Sequence, residues 1–458
     1  MNLSANAQRS LVAVFWAVAA ILGYAITRSP EIAVSAAVVA VLLVMAALLT
    51  PAQLVILAVT LIPFRVIESL LPIIRGGVTL ADGFLLAFVV SALARKRVFA
   101  GRRVSPLLVV VIVALVAVGA ISMFNSGFYG VGVRKLGRIA VIGLTFLAAS
   151  HSLGSRDAER AAGAFVLSAA ASSIVALGFT LRAAVIPGIG VLRLWGGVED
   201  PNHVSVVLAA ALLIAVAWRP TWVPRWLWLA SSLLILVGQA ASLSRGGAAA
   251  LAVGLGVLIL VTLYARFLGR RLGLWSRSGA LLLVLASIAA LGAAFIPADF
   301  TGAAVLRYQG ILDPQTDATG ALRFRLWNAG FAMLANSPIL GVGPGAFGLA
   351  LVASGAFTSP WEAHSSIVEI AVETGYLGAG IVVLALIVGG WLSLRSFGTT
   401  CRDDLVSDES VALSSGLVAC AAAIIVGGAS LSNILYQPLF ASIIVMLIAT
   451  LTSQVREE

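Results

Sequence analysis

The sequence predicts an all-α integral membrane protein, and three observations lead there. Hydrophobic residues fill 61% of the 458 positions and charged residues only 10%, outside the range of soluble domains. The apolar residues gather in runs that can cross a bilayer repeatedly, at roughly 20 residues per crossing. Short polar segments rich in arginine, glycine and proline separate these runs.

In chain order the runs are 8–27, 31–49, 51–63, 78–94, 105–123, 138–150, 161–184, 203–218, 226–242, 246–264, 279–296, 375–394, 411–430 and 434–453. The first has a signal-like length, but a second follows at once without a convincing cleavage site, so it reads as a retained helix. Runs 51–63 and 138–150 are short for a crossing. They are re-entrant, tilted or extended by neighbouring polar turns. The expectation is one polytopic domain over residues 1–458 with about 12–14 transmembrane helices.

Loop charges orient the chain. With the N-terminus in the cytoplasm, 17 basic residues fall inside and 12 outside, and the compact loops 95–103 and 265–277 both fall inside. Both termini are then cytoplasmic, and residues 297–374 form a large extracytoplasmic loop carrying short amphipathic helices. The basic residues left outside, among them Arg134, Lys135, Arg138, Arg245, Arg323 and Arg325, sit where the positive-inside rule disfavours them. A lipid diphosphate on the outer face would account for them.

All but two of the 29 basic residues, Lys96 and Lys135, are arginine, whose planar fork binds phosphate oxygens bidentately. The net charge of +10 is scattered between spans, which fits membrane lipids and topology and gives no reason to invoke nucleic acid. Cys401 falls in a cytoplasmic loop and Cys420 in a span, so no disulfide is expected.

Chemistry then has few places to sit. Ser242-Leu-Ser-Arg245-Gly-Gly247 breaks two spans; serine and glycine suit a tight helical hairpin, but a turn has no need of Arg245 at the membrane boundary. Asp200-Pro-Asn202-His203 enters another span, where Asp200 or Asn202 suits a helix N-cap. Glu199 and Asp200 support a metal site only weakly. In the loop, Leu322, Leu326, Ala329 and Met333 recur at helical spacing, giving an amphipathic interfacial helix on which Arg323 and Trp327 share a face. Arg325 lies between them.

Gly341-Val-Gly-Pro-Gly345 superficially resembles a nucleotide loop, but Pro344 lacks a donor and no strand precedes it. It reads as a sharp turn. His364 then leads a helix carrying Glu369 and Glu373, which share one face and point away from it. Imidazole is the natural general base near neutral pH. No second His or Cys stands at zinc-ligand spacing.

Together these pieces resemble the O-antigen ligase and O-antigen polymerase family of bacterial membrane glycosyltransferases. The matching elements are Ser244-Arg245-Gly246, Asp200-Pro-Asn202-His203, Arg323-x-x-x-Trp327, Ser337-Pro338-x-x-Gly341-x-Gly343-Pro-Gly345, and His364 followed by Glu369, Glu373, Gly375 and Gly378. They cover roughly residues 196–380. The resemblance implies a helical membrane fold with a large extracytoplasmic loop in the bacterial cytoplasmic membrane. It implies a glycan donor on undecaprenyl or a similar polyprenyl diphosphate, a glycan or lipid-glycan acceptor, and neither cofactor nor obligatory metal. Carried over, His364 activates the acceptor hydroxyl and Arg245 and Arg323, with Arg325 beside them, grip the diphosphate. Asn202, His203, Trp327, Ser365, Glu369 and Glu373 would support the site. Ser365 stands where the family usually has Asn, which bears on acceptor positioning.

Three other readings stay open at this point. A polymerase of polyprenyl-linked repeat units would share the donor and the reacting groups. A lipid-linked saccharide flippase would place ionisable residues deep in several spans, whereas 107–123, 227–241 and 281–296 hold none. A non-catalytic member is the third.

Overall fold

The computed structural model of the protein describes residues 30–64, 80–95, 106–182, 201–242, 244–270, 272, 318–432 and 437–452. Among them every regular element is helical, and the chain is an all-α membrane protein. The helices are α1 (Pro30–Leu48), α2 (Pro51–Leu61, continued by a 3₁₀ turn, Ile62–Phe64), α3 (Leu80–Ala94), α4 (Pro106–Ser126) and α5 (Tyr129–Ser152). Then follow α6 (Ser155–Arg182), α7 (Pro201–Ala217), α8 (Arg225–Ala241), α9 (Arg245–Phe267), α10 (Ala318–Asn336) and α11 (Phe347–Ala353). The last are α12 (Ser366–Arg402), α13 (Asp408–Gly427) and α14 (Pro438–Thr452). Runs 8–27 and 279–296, the loop segment 297–317 and the Glu199–Asp200 pair lie outside the described residues.

Four of these helices are long and apolar enough to cross a membrane: the 155–177 part of α6, α9, α12 and α13. The other apolar helices are shorter, and the length-and-composition reading leaves the expected count of spans open.

Helix α7 is the axis of the bundle. It is apolar on every side from Val206 to Ala217, and a helix without a polar face must be buried. Its neighbours are α6, α8, α9 and α13. Small residues permit the approach: Gly254 of α9 lies against Leu213, and Gly416 of α13 against Ala217 and the Ile214 backbone.

Hairpins sort the polar groups to two ends. One end gathers the α4–α5, α8–α9 and α13–α14 turns with the starts of α3, α7 and α12. The opposite end carries Arg95, which donates 2.8 Å to the Leu49 carbonyl, and Arg270. Arg270 donates to the carbonyls of Thr400, Cys401, Asp403 and Val406, latching the α12–α13 turn onto the end of α9.

The structure departs from the sequence reading in three helices. The short run 138–150 is the rear of a longer helix, α5, whose first turns carry Arg134, Lys135 and Arg138. Two of those cations are met by carboxylates from other helices: Arg138 pairs with Asp82 at 3.0 Å, and Lys135 with Glu369 and Glu373. Asn202 is not a helix cap, because α7 already begins at Pro201. Helix α12 runs past the apolar run 375–394 to Arg402, which puts Cys401 in its last turn, buried, rather than in a loop.

Candidate active site

The described part of the long loop folds back on itself around a small apolar core of its own. Leu326, Met333, Leu334, Phe347, Leu351, Ala363, Val368 and Val372 form that core. The stripe expected on α10 faces these residues. Gly330 lets α10 approach closely, with Phe347 and Val372 packed at the position of its missing Cβ.

A break in α12 organises this region. Gly375 has φ 68° and ψ −175°, so a short first segment, 366–374, stands at an angle to the rest of the helix. The break strips the Val372 and Glu373 carbonyls of their usual partners four residues on. The turn after α10 replaces them: Val342 N–H donates to Val372 O and Gly343 N–H to Glu373 O, both at 2.9 Å. In exchange, Tyr376 N–H donates 2.8 Å to Pro338 O and Leu377 N–H 3.4 Å to Ile339 O. Gly341 and Gly375 meet at this joint. A Cβ on either would overlap backbone of the other strand of the joint, and both have positive φ. This explains physically why Gly341–Gly345 is no nucleotide loop: its donors are consumed within the protein.

The broken helix is held from a third direction by α4 and α5. Ser122 donates to the Leu340 carbonyl and, at 2.9 Å, to the Glu373 carbonyl. Lys135 Nζ lies 2.8 Å from Glu369 Oε1 and 2.6 Å from Glu373 Oε2, with side chains only 9%, 6% and 2% exposed. The Phe347 N–H donates to Glu373 Oε1 at 3.4 Å. Removing one partner from such a buried cluster leaves uncompensated charge, typically about 3–5 kcal/mol.

His364 stands immediately before the short segment, half-buried, with φ 50°. It is the one non-glycine residue among those described in the left-handed region, a conformation that costs about 1–3 kcal/mol and persists only where surroundings impose it. The restraints flank it. The indole N–H of Trp327 donates 2.8 Å to the carbonyl of Ala363 on one side. On the other, Ser365 caps α12 by accepting from Val368 N–H at 3.4 Å. Ser366 N–H reaches the Gly428 and Leu431 carbonyls at 2.7 Å, and its hydroxyl donates to Leu431 O at 2.6 Å.

The same loop, 428–431, also touches the arginine turn. Gly246 packs so closely on Ser430 that a Cβ there would overlap its side chain. Ser244 accepts 3.1 Å from Gly247 N–H as the cap of α9 and donates 2.8 Å to Asn202 Oδ1 in the first turn of α7. One residue on, His203 Nδ1 meets the side-chain amide of Gln437 at 3.1–3.2 Å, just before α14. The N-terminal ends of α7, α9, α12 and α14 thus gather around Arg245, and each carries the partial positive charge of unsatisfied N–H groups.

The residues singled out in the sequence are therefore brought to one end of the bundle. The 428–431 loop touches the neighbours of Arg245 and His364, namely Gly246 and Ser366, while Asn202 meets Ser244 and His203 meets Gln437; Arg323 lies one turn from Trp327, which holds the peptide before His364. Arg325 is set apart: it is exposed and its guanidinium lies over the Phe357 ring at 5.6 Å. Glu369 and Glu373 face Lys135, away from His364. Sequence reasoning ascribed Lys135 and Arg138 to a lipid diphosphate, whereas both meet carboxylates of the protein, and it missed Ser122, Gln437 and the 428–431 loop. Two carboxylates one turn apart on an apolar segment signalled the need for a buried cation, and Lys135 is one of only two lysines.

The fold is that of a helical membrane protein that collects arginine, histidine and several helix N-termini at one end of its bundle. Comparison takes the class further: residues 230–383, from α8 into α12, match the family model of the O-antigen ligases. Over that segment the family read from the motifs is the family that the match returns, and it carries glycosyl transfer of the O-antigen type as the class of reaction. That family acts on polyprenyl-linked glycans and a lipid or glycan acceptor in the membrane. The comparison with curated proteins returned no match.

Proposed function

We propose that the protein moves a glycan from a polyprenyl diphosphate to an acceptor hydroxyl on the extracytoplasmic face of the bacterial cytoplasmic membrane. His364 takes the proton of the acceptor hydroxyl as that oxygen attacks the anomeric carbon. The bond from that carbon to the diphosphate oxygen breaks, and the electron pair leaves with the polyprenyl diphosphate. Arg245 and Arg323, with Arg325 as the outer contact, stabilise the charge that develops there, assisted by the α9 N-terminus. A single displacement of this kind inverts the anomeric configuration.

The observation that carries this reading is the meeting of three sequence-distant elements: the α8–α9 turn, α10 and the start of α12. They join through the 428–431 loop and the Trp327–Ala363 hydrogen bond. A metal-independent route is supported by the donor set, because the oxygens of Glu369 and Glu373 are already engaged by Lys135. The sidedness is supported by charge: Arg95, Arg156, Arg160, Arg219, Arg225, Arg266, Arg270, Arg395 and Arg402 stand at or near helix ends remote from the site. With the site outside, both chain termini are cytoplasmic.

The test is reconstitution in liposomes with a polyprenyl-diphosphate oligosaccharide and candidate acceptors. A single inverted adduct is expected, lost in His364→Ala by about 10²–10⁴-fold. A ladder of repeat units would instead show a polymerase. Donor crossing the bilayer with no new glycosidic bond would show a transporter and end this account.

A further inference from the structure

The short segment 366–374 that follows His364 does not inherit its orientation from the transmembrane part of α12, because Gly375 breaks the helix between them. Its pose must come from side contacts. The 428–431 loop fixes its start, through Ser366, and the glycine turn fixes its end, through Val372 and Glu373. The Ser366 hydroxyl on Leu431 O anchors the first residue by its side chain, but neither contact reaches the face turned to α5. Lys135 does: one ammonium holds two carboxylates one turn apart, and so fixes which face of the segment looks toward α5. His364 is joined through Ser365 to the start of this segment, so a rotation that separates Glu369 and Glu373 from Lys135 also moves the residue that carries the imidazole.

The α4–α5 hairpin is built for this grip. Ser122 and Ser126 of α4 meet the glycine turn at Leu340 and Gly343, and the Val131 carbonyl of α5 lies against Gly345. The Arg138–Asp82 pair anchors α5 in turn to the start of α3, at 3.0 Å. The residues that α3, α4 and α5 contribute all precede the 230–383 segment that matches the family model.

We infer that Lys135 is a positioning residue of the transfer reaction, acting through Glu369 and Glu373 to hold His364 at the angle from which it reaches the acceptor hydroxyl. This rests on the reading of His364 as the base. The N-terminal helices are then part of the catalytic apparatus and not only a membrane anchor.

The experiment measures kcat and donor KM for purified, reconstituted wild type, Lys135→Met, Lys135→Arg and the neutral triple variant Lys135→Met/Glu369→Gln/Glu373→Gln, with His364→Ala alongside. Lys135→Met is expected to lose about 10–100-fold in kcat, the scale of a small misplacement of a reacting group, with donor KM little changed. Lys135→Arg, which can still bridge both carboxylates, should recover a large part of that loss. The triple variant leaves no buried unpaired charge, so it reports even if Lys135→Met does not fold, and it should be as slow as Lys135→Met. Wild-type kcat in Lys135→Met or in the triple variant overturns the inference, as does a loss confined to donor KM, which would mean that Lys135 touches the donor. A silent His364→Ala beside a normal triple variant removes only the role of Lys135. An active His364→Ala removes both that role and the proposed base.

Discussion

The indole N–H of Trp327 donates a hydrogen bond of 2.8 Å to the carbonyl of Ala363, the residue just before His364. This bond joins α10, which carries Arg323, to the backbone that holds His364 in its left-handed conformation. Trp327 therefore serves the site by holding a peptide. Trp327→Phe keeps an aromatic ring in the loop core and deletes only the donor, a change worth about 0.5–1.5 kcal/mol. The expected result is turnover reduced severalfold with a melting temperature in detergent close to wild type.

The glycine joint makes a contrasting prediction. Gly375→Ala forces a side chain into a positive-φ position and onto the Ile339 carbonyl, and Gly341→Ala meets the Val372–Gly375 backbone in the same way. Each should destabilise the protein by more than about 1 kcal/mol and reduce activity. Gly380→Ala, one turn beyond the joint with nothing within 4 Å of the added carbon, should change neither. Thermal unfolding of the three variants side by side checks the assignment.

Ser365 stands where the O-antigen ligase family that this chain resembles usually has Asn. Its side chain caps α12, and Asn caps helices about as well as Ser does. Ser365→Asn should therefore leave transfer within about twofold of wild type, whereas Ser365→Ala should cost about 0.5–2 kcal/mol of stability at that helix end. A large loss of activity in Ser365→Asn at unchanged stability would assign the residue a direct part in acceptor binding.

Arginine is expected to act on the donor through geometry as well as charge. Arg245→Ala should raise donor KM strongly, and Arg245→Lys should restore only part of the loss, because an ammonium cannot present the bidentate fork. Arg325→Ala should have the smallest effect of the arginine variants, since its guanidinium rests on Phe357. Steady-state kinetics at fixed acceptor concentration decide the ranking.

Most of the fold was legible because apolar run length is a strong signal: runs 203–218, 226–242 and 246–264 reappear as α7, α8 and α9 within a few residues. Where charge entered a helix the signal failed. Arg134, Lys135 and Arg138 made the front of α5 look like a loop, because the carboxylates that neutralise two of them lie on α3 and α12, far away in sequence. The candidate site was proposed from residue types, His364 with Arg245 and Arg323. Its scaffolding was not legible. The 428–431 loop holds Ser366 through main-chain carbonyls and receives Gly246 by close packing, and neither interaction leaves a mark on side-chain chemistry. Of the two cap candidates, Asn202 instead accepts from Ser244 on another helix, a partner that chain spacing does not reveal, while Asp200 lies outside the described residues.

Equilibrium binding of a polyprenyl-diphosphate oligosaccharide to the purified protein separates the grip on the donor from the chemistry. His364→Ala should bind the donor with an affinity within about threefold of wild type while transferring nothing, and Arg245→Ala and Arg323→Ala should each bind at least about tenfold more weakly, close to the loss of a charge-assisted contact. Donor binding that vanishes with His364 and survives both arginine substitutions would contradict the division of labour on which the account is built.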